Sequence, residues 1–194
     1  VQTEDVLNLT QQTFSLFHDG LNQETAQKAA QLIYQTMKIA AVSITDQKEI
    51  LAFIGAGSDH HLVGMPLQTN LSYTSIDTGQ THLALTPDDI GCHHPGCPLK
   101  AGIIVPLKTE DTVAGTLKFY FDDEKQLTQE KENWATGLGA IFSTQLQLGI
   151  AQRQKALLKE AELRSLQGQV NPHFFFNAMN TIRACLLYTS DAAD

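Results

Sequence analysis

Two groups of side chains in this sequence have the types and spacing to do chemistry. The first is the run Asn171, Pro172, His173, Phe174, Phe175, Phe176, Asn177. Proline in the first turn of a helix loses no hydrogen bond, because the amides there have no intrahelical partner. His173 is therefore expected where a helix starts or kinks, with its ring presented outward. Asn177 lies four residues on, on the same helical face and within reach of the ring. A neutral imidazole held in this way is a nucleophile. The plainer reading of the same spacing is a histidine satisfied in a core among three phenylalanines. Consecutive positions point about 100° apart around a helix, so Phe174, Phe175 and Phe176 cannot all enter one core.

The second group is His60 and His61, followed later by Cys92, His93, His94 and Cys97, all on loops between strands. Imidazoles and thiolates suit a tetrahedral zinc ion and can also hold iron; His60, His61, Cys92, His94 and Cys97 are the candidate ligands. The spacing CHHPGC is not a zinc-finger repeat. A reversible Cys92–Cys97 disulfide is a second reading, since thiols acidified beside histidines react readily. A third reading has Pro95 and Gly96 setting a turn, the histidines bonding to backbone and the cysteines packing as small apolar groups.

The elements that must hold these groups follow from periodicity. In VLNLTQQTFSLFHDGL, Val6, Leu9, Leu16 and Phe17 share one helical face and Gly20 is a stop, so one opening helix is expected. Asn22 then caps a second helix with an apolar stripe of Ala26, Ala29, Ala30, Ile33 and Met37. IAAVSIT and EILAFIG, joined through Asp46, Gln47 and Lys48, read as a hairpin. NLSYTSIDTG reads as a short helix capped by Asn70 and stopped by Gly79, with HLAL as a further strand. AGIIVPLK and VAGTLKFYF around TEDT form the strongest hairpin signal. The order predicts an α+β domain on an antiparallel sheet flanked by helices.

From Thr128, an N-cap, no proline interrupts a helix until Pro172, although Gly137, Gly139, Gly149 and Gly168 weaken it. Trp134, Leu138, Ile141 and Leu148 keep three-and-four spacing, as do Leu163, Leu166 and Val170. The two stripes are out of register by one residue over three heptads, across the polar stretch AQRQK. The first is expected to pack on the domain and the second on a partner helix.

The totals narrow the classes. With 194 residues and 42% apolar content, the chain can build one domain with its own core plus an extension. A net charge of −8 with no basic block excludes nucleic acid as a partner. No run approaches the roughly 18 apolar residues of a membrane span, and the start VQTEDVLNLT has no signal-peptide pattern. Three cysteines do not make a disulfide framework, and a reducing cytoplasm is expected. The first residue is Val1, so a membrane portion upstream remains compatible with the sequence. The last ten residues, CLLYTSDAAD, show neither cap nor periodicity, and they match codon by codon a one-frame translation of a transposase sequencing adapter. Cys185 to Asp194 are accordingly set apart as foreign, which removes Asp191 and Asp194 and leaves a net charge of −6.

The segment ELRSLQGQVNPHFFFNAMNTI resembles the histidine-containing region of LytS-type sensor kinases, with a signature LxxLxxQxNPHFLFNxLN. Leu163, Leu166, Gln169, Asn171, Pro172, His173, Phe174, Phe176, Asn177 and Asn180 fall on it. Phe175 and Met179 stand where the family has leucine. Upstream, GAGSDHHLVG, IGCHHPGCPL and VPLKTEDTVAGTLKFYF are similar to the GAF domain of these kinases. The resemblance implies an opening helix or linker (1–20), a GAF-like sensory domain (21–126), a signalling helix (127–162) and a phosphoacceptor region (163–184) ahead of the foreign tail (185–194).

It further implies a sensor histidine kinase of a bacterial two-component system. His173 would accept the phosphoryl group, Asn177 would orient it, and a response regulator would receive it. Homodimerisation, an unidentified small-molecule ligand, and ATP with Mg used by a domain absent from this stretch are part of the same expectation. So is a place in the cytoplasmic portion of an integral plasma-membrane protein. GAGS has no following Lys, so no phosphate-binding loop is expected here. The alternatives are a GAF ligand-binding or redox-sensing module without kinase activity, or a GAF-fold reductase using Cys92 or Cys97. The NPHFFFN block separates them, because neither alternative needs a long helix leading to it.

Overall fold

The computed structural model describes residues 3–13, 15–169 and 172–190; of residues 3–6, 172 and 185–190 only the backbone is described. Val170 and Asn171, and the side chain of Val6, therefore lie outside the described residues. Two compact units divide the chain, Val1–Ala151 and Gln152–Asp194.

The first unit is built on a five-stranded antiparallel sheet of order β2-β1-β5-β4-β3. Its strands are β1 (Ala41–Thr45), β2 (Ile50–Gly55), β3 (His82–Ala84), β4 (Ala101–Lys108) and β5 (Val113–Phe121). The second hairpin has the strand limits expected from AGIIVPLK and VAGTLKFYF, and in the first the strands start later than IAAVSIT and EILAFIG suggest, at Ala41 and Ile50. At the first turn, the Asp46 carboxylate accepts from the amides of Lys48 and Glu49 at 2.7 and 2.8 Å, which is why this polar triplet reverses the chain.

Both sheet faces are covered. Val42, Ile44, Ile103, Val105, Leu107, Leu117, Phe119 and Phe121 point to one face and form the larger core with three helices. Ala41, Phe53, Ile104 and Tyr120 point to the other, where Ile50, Ile90 and Leu99 complete a smaller core with Cys92 and Cys97 at its edge. Phe17, Phe119, Phe121 and Phe142 are fully buried, each contributing roughly 1.5–3 kcal/mol by leaving water.

The helices on the larger core are α1 (Thr3–Thr13), α2 (Gln23–Thr36) and α5 (Gln129–Gln169). The single opening helix expected from the sequence is instead α1 followed by a 3₁₀ turn, Leu16–Asp19. The turn seats Phe17 against Phe142 of α5, ring centroids 5.0 Å apart, so burial rather than helical continuity places Leu9 and Phe17 in the core. The α2 cap is as expected: Asn22 Oδ1 accepts from the Thr25 amide at 3.0 Å and Thr25 Oγ1 accepts from the Asn22 amide at 3.1 Å. All five residues of its apolar stripe are buried.

Two short helices border the smaller core, α3 (Asn70–Thr78) and α4 (Pro87–Ile90). Thr69, not Asn70, caps α3: its hydroxyl accepts from the Leu71 amide at 3.3 Å and donates to the Asp89 carbonyl at 3.0 Å, tying α3 to α4. Helix α4 lies in a stretch read from sequence as loop. Its signal is Thr86-Pro87-Asp88-Asp89, a capping box with proline in the first turn.

Helix α5 starts where Thr128 was read as cap, the Lys131 amide donating to Thr128 Oγ1 at 3.3 Å. Its buried face differs from the expected stripe. Ala135, Leu138, Gly139, Phe142, Gln145, Leu146 and Gly149 face inward, Trp134 and Ile141 flank them, and Leu148 is 49% exposed. Ala135, Gly139 and Gly149 let the helix approach its neighbours closely, Leu138, Phe142 and Leu146 fill the core between them, and Trp134 and Ile141 lie at the flanks. In the second unit, the end of α5 is followed by α6 (Pro172–Ser190), which runs past Ala184, where no extension was expected. Among the described residues no helix is long and apolar enough to cross a membrane.

Candidate functional site

His173 is the second residue of α6 and its side chain is exposed. Asn177 Nδ2 lies 3.0 Å from His173 Nδ1, one turn along. With the amide nitrogen donating, Nδ1 is an acceptor and Nε2 carries the proton of the neutral ring. Rotating the carboxamide puts Oδ1 in the same place, accepting from Nδ1–H and leaving Nε2 as the unprotonated ring nitrogen. Asn177 thus selects the tautomer. Phe174, Phe175 and Phe176 are 73%, 63% and 73% exposed, and Met179 and Ile182 are 60% and 57% exposed. Phe175, Phe176, Met179, Asn180 and Arg183 line one shallow hollow on this helix. His173 is therefore not a satisfied core histidine of the described chain.

In the first unit, four of the five candidate ligands come together. The chain leaves β2 and turns at Gly57, whose carbonyl accepts from the amides of both His60 and His61 at 3.2 and 2.9 Å. Gly57 has φ of 87°, a conformation that favours glycine, and a Cβ there would crowd His61 Cδ2 at 3.1 Å and touch His60 Cε1 at 3.4 Å. His61 stacks on Phe53 of β2, 4.8 Å between centroids. From the other side, α4 ends at Gly91 (φ 71°) and delivers Cys92, and the turn through Pro95 and Gly96 returns Cys97, whose amide donates to the His94 carbonyl at 3.2 Å.

One ring nitrogen each of His60 and His61 and the sulfurs of Cys92 and Cys97 all lie within 4.8 Å of one another. Cys97 Sγ is 3.7 Å from His61 Nε2, and neither cysteine is in a disulfide. His94 is outside this tetrad; it stacks on His60 at 4.0 Å and forms a second group with Asp59 and His60. The Asp59 carboxylate accepts from His60 Nδ1 at 2.8 Å, which holds its own pKa below the usual range.

Burial governs the electrostatics here. It lowers the His61 pKa to about 4, with the neighbouring His60 and Lys118 acting in the same direction. It also raises the Cys97 thiol, helped by Cys92, the reverse of the acidified thiol that the disulfide reading supposed. Lys118, 4% exposed, was missed from sequence. Alternation along VAGTLKFYF puts it on the opposite face from Leu117 and Phe119, among Ser43, Phe53, His61 and Tyr120. Together they line a cavity of about 20 Å³ without a carboxylate, which has room for about one water. Burial lowers the Lys118 pKa to about 8 and raises that of the Tyr120 phenol.

Solved structures share this fold. The GAF domain of a phosphoenolpyruvate-protein phosphotransferase from Coxiella burnetii matches 80% of the chain and 99% of its own length, with TM-score 0.57 and 14% identity. A GAF sensor protein from Burkholderia vietnamiensis matches 75% and 98%, with TM-score 0.54 and 18% identity. The fRMsr of Staphylococcus aureus, in complex with its substrate, matches 73% and 95%, with TM-score 0.56 and 18% identity. At such identities the likeness concerns the fold, and it defines the sheet domain as GAF-like. A family model described as histidine kinase matches residues 161–194.

The class is thus a GAF-like domain leading into histidine-kinase sequence. Sensor protein LytS of Staphylococcus epidermidis is 51% identical over 193 residues, covering all of this chain and 33% of that protein. LytS of Enterococcus faecalis, and the sensor histidine kinase/phosphatase LytS of Staphylococcus aureus, are each 48% identical over the same span. Over its whole length the chain is similar to LytS-type sensor histidine kinases, the resemblance that the NPHFFFN segment carries, and it spans about a third of the length of these curated relatives.

Proposed function

We propose that this chain is the sensory and phosphoacceptor portion of a two-component histidine kinase, with His173 the residue that carries the phosphoryl group. The observation that supports this most is an exposed imidazole near the start of α6 with a carboxamide 3.0 Å from its Nδ1, inside sequence matched by the histidine-kinase model. With Asn177 Oδ1 accepting from Nδ1–H, the Nε2 lone pair attacks the γ-phosphorus of ATP. The bond to ADP breaks as the N–P bond forms, and the Nδ1 proton passes to solvent. ATP and Mg would be held by a nucleotide domain elsewhere in the whole protein, and an aspartate of a response regulator would take the phosphoryl group from His173.

In this reading, residues 21–126 sense a small molecule, 127–162 transmit, 163–184 carry the acceptor, and 185–194 derive from adapter sequence. Membrane attachment of the whole protein is carried over from the family resemblance. Exposed Leu163 and Leu166, with Phe175 and Met179 one turn apart on α6, form the apolar surface that a second copy would cover, making a homodimer. The test supplies the chain with ATP, Mg and the nucleotide-binding domain of a relative. A phosphate stable in base and labile in acid is expected on wild type and absent in His173→Gln. Label of equal yield in His173→Gln would overturn the reading.

A further inference from the structure

We infer that His60, His61, Cys92 and Cys97 form a closed zinc site that clamps two loops over the smaller core of the sensory domain. Zinc takes such a donor set tetrahedrally with bonds of about 2.0–2.3 Å, which places neighbouring ligand atoms roughly 3.3–3.8 Å apart. The His61 Nε2 to Cys97 Sγ separation, 3.7 Å, already has that value. The widest separation within the tetrad is no more than 4.8 Å, so side-chain adjustments of about 1 Å complete the geometry.

A second observation is independent of these distances. The His60 side chain is only 11% exposed, and its Nε2 is buried with no hydrogen-bond partner. A buried imidazole nitrogen without a partner is costly, and a cation there would satisfy it. The opposite nitrogen is held by Asp59 at 2.8 Å. A carboxylate behind a histidine is the arrangement that orients imidazole ligands and strengthens them as donors. Gly57 adds a third constraint, since a side chain at that position would crowd the His61 ring and touch that of His60.

Four protein ligands leave no open position, so the ion would be structural rather than a catalyst. It would join the loop after β2 to the loop after α4, which also meet where His94 stacks on His60. His61 also lines the cavity holding Lys118, so the clamp fixes one wall of that cavity. This site stands independently of phosphotransfer at His173.

The test uses the full chain with Cys185→Ser, reduced and stripped of metal, titrated with Co²⁺. One Co²⁺ per chain is expected, with a thiolate-to-cobalt charge-transfer band and tetrahedral ligand-field bands, both displaced by one equivalent of Zn²⁺. Cys92→Ser and Cys97→Ser should each remove about half of the charge-transfer intensity. Asp59→Asn should weaken affinity by about 10–100-fold, while His94→Asn should leave it within twofold. The wild-type titration decides the question even if a variant fails to fold. A folded chain that gives no such bands overturns the inference. So do bands that survive the Cys92→Ser, Cys97→Ser double variant, or affinity lost equally in His94→Asn, which would place the ion in the Asp59, His60, His94 group.

Discussion

Gly149 and Gly137 sit in the same helix, yet replacing each with alanine should move stability in opposite directions. Alanine is favoured over glycine in a helix interior by about 1 kcal/mol. At Gly137 a Cβ meets nothing within 4 Å, so Gly137→Ala should stabilise by about that amount. At Gly149 the Cβ would lie 2.5 Å from the His18 carbonyl oxygen and 2.9 Å from that of Phe17. Ordinary carbon–oxygen contact is about 3.3 Å, so the 3₁₀ turn must retreat by roughly 0.8 Å.

Phe17, fully buried and packed at a tilt of 57° against Phe142, moves with the turn. A gap of that size forfeits about a quarter to a half of the contact attraction, and whole loss of a buried phenylalanine costs about 3–5 kcal/mol. The loss is then about 1–2 kcal/mol in packing, and strain in the overfilled contact adds roughly 1 kcal/mol or more. Set against the propensity gain, Gly149→Ala should destabilise by about 1–2 kcal/mol. Urea unfolding followed by far-ultraviolet circular dichroism measures both. If Gly149→Ala raises the midpoint as Gly137→Ala does, the turn does not sit beneath α5 and the packing argument fails.

Lys118→Met should stabilise the domain by up to about 3 kcal/mol at pH 7, the value of moving a pKa from 10.5 to about 8. Below pH 8 both states hold the proton and the whole cost of the buried charge is present. Between pH 8 and 10.5 the unfolded chain holds more protons, so wild-type stability rises with pH and the gap to Lys118→Met should shrink; an equal gap at pH 7 and pH 10 in urea titrations contradicts this. Asn22→Ala, which removes the reciprocal cap of α2, should cost about 1 kcal/mol in the same assay, and no change would mean that solvent replaces the cap. Sedimentation at tens of micromolar should show a dimer that weakens when Phe175 and Met179 are both changed to serine; a monomer throughout argues against the apolar surface as a seam.

Much of the fold was legible because local chemistry and tertiary packing agree there. Two apolar, β-branched runs flanking TEDT set the β4–β5 hairpin, Asn22 and Thr128 marked helix starts, and Gly79 marked an end. The buried face of α5 was not legible: Gly139 and Gly149 look like weak helix positions, and their use, close approach to a strand and to the turn, exists only in three dimensions. Thr69 displaced Asn70 as cap because its hydroxyl also reaches Asp89, a partner twenty positions away. At the candidate sites, the four-residue step from His173 to Asn177 could be read directly. The tetrad could be named by residue type, but the exclusion of His94 depends on how two loops cross one sheet face. Lys118 escaped notice because a strand buried on both faces hides its alternation.

The central claim is that the phosphoryl group resides on His173. The most direct measurement phosphorylates the chain with ATP, Mg and a relative's nucleotide-binding domain. The protein is kept at alkaline pH, and the modified residue is located by fragmentation mass spectrometry. A phosphoramidate on His173 is expected, formed more slowly in Asn177→Ala although that variant stays folded, because misplacing a reacting group costs rate steeply. Phosphate found on His60, His61 or His94 instead, with His173 unmodified, would contradict it.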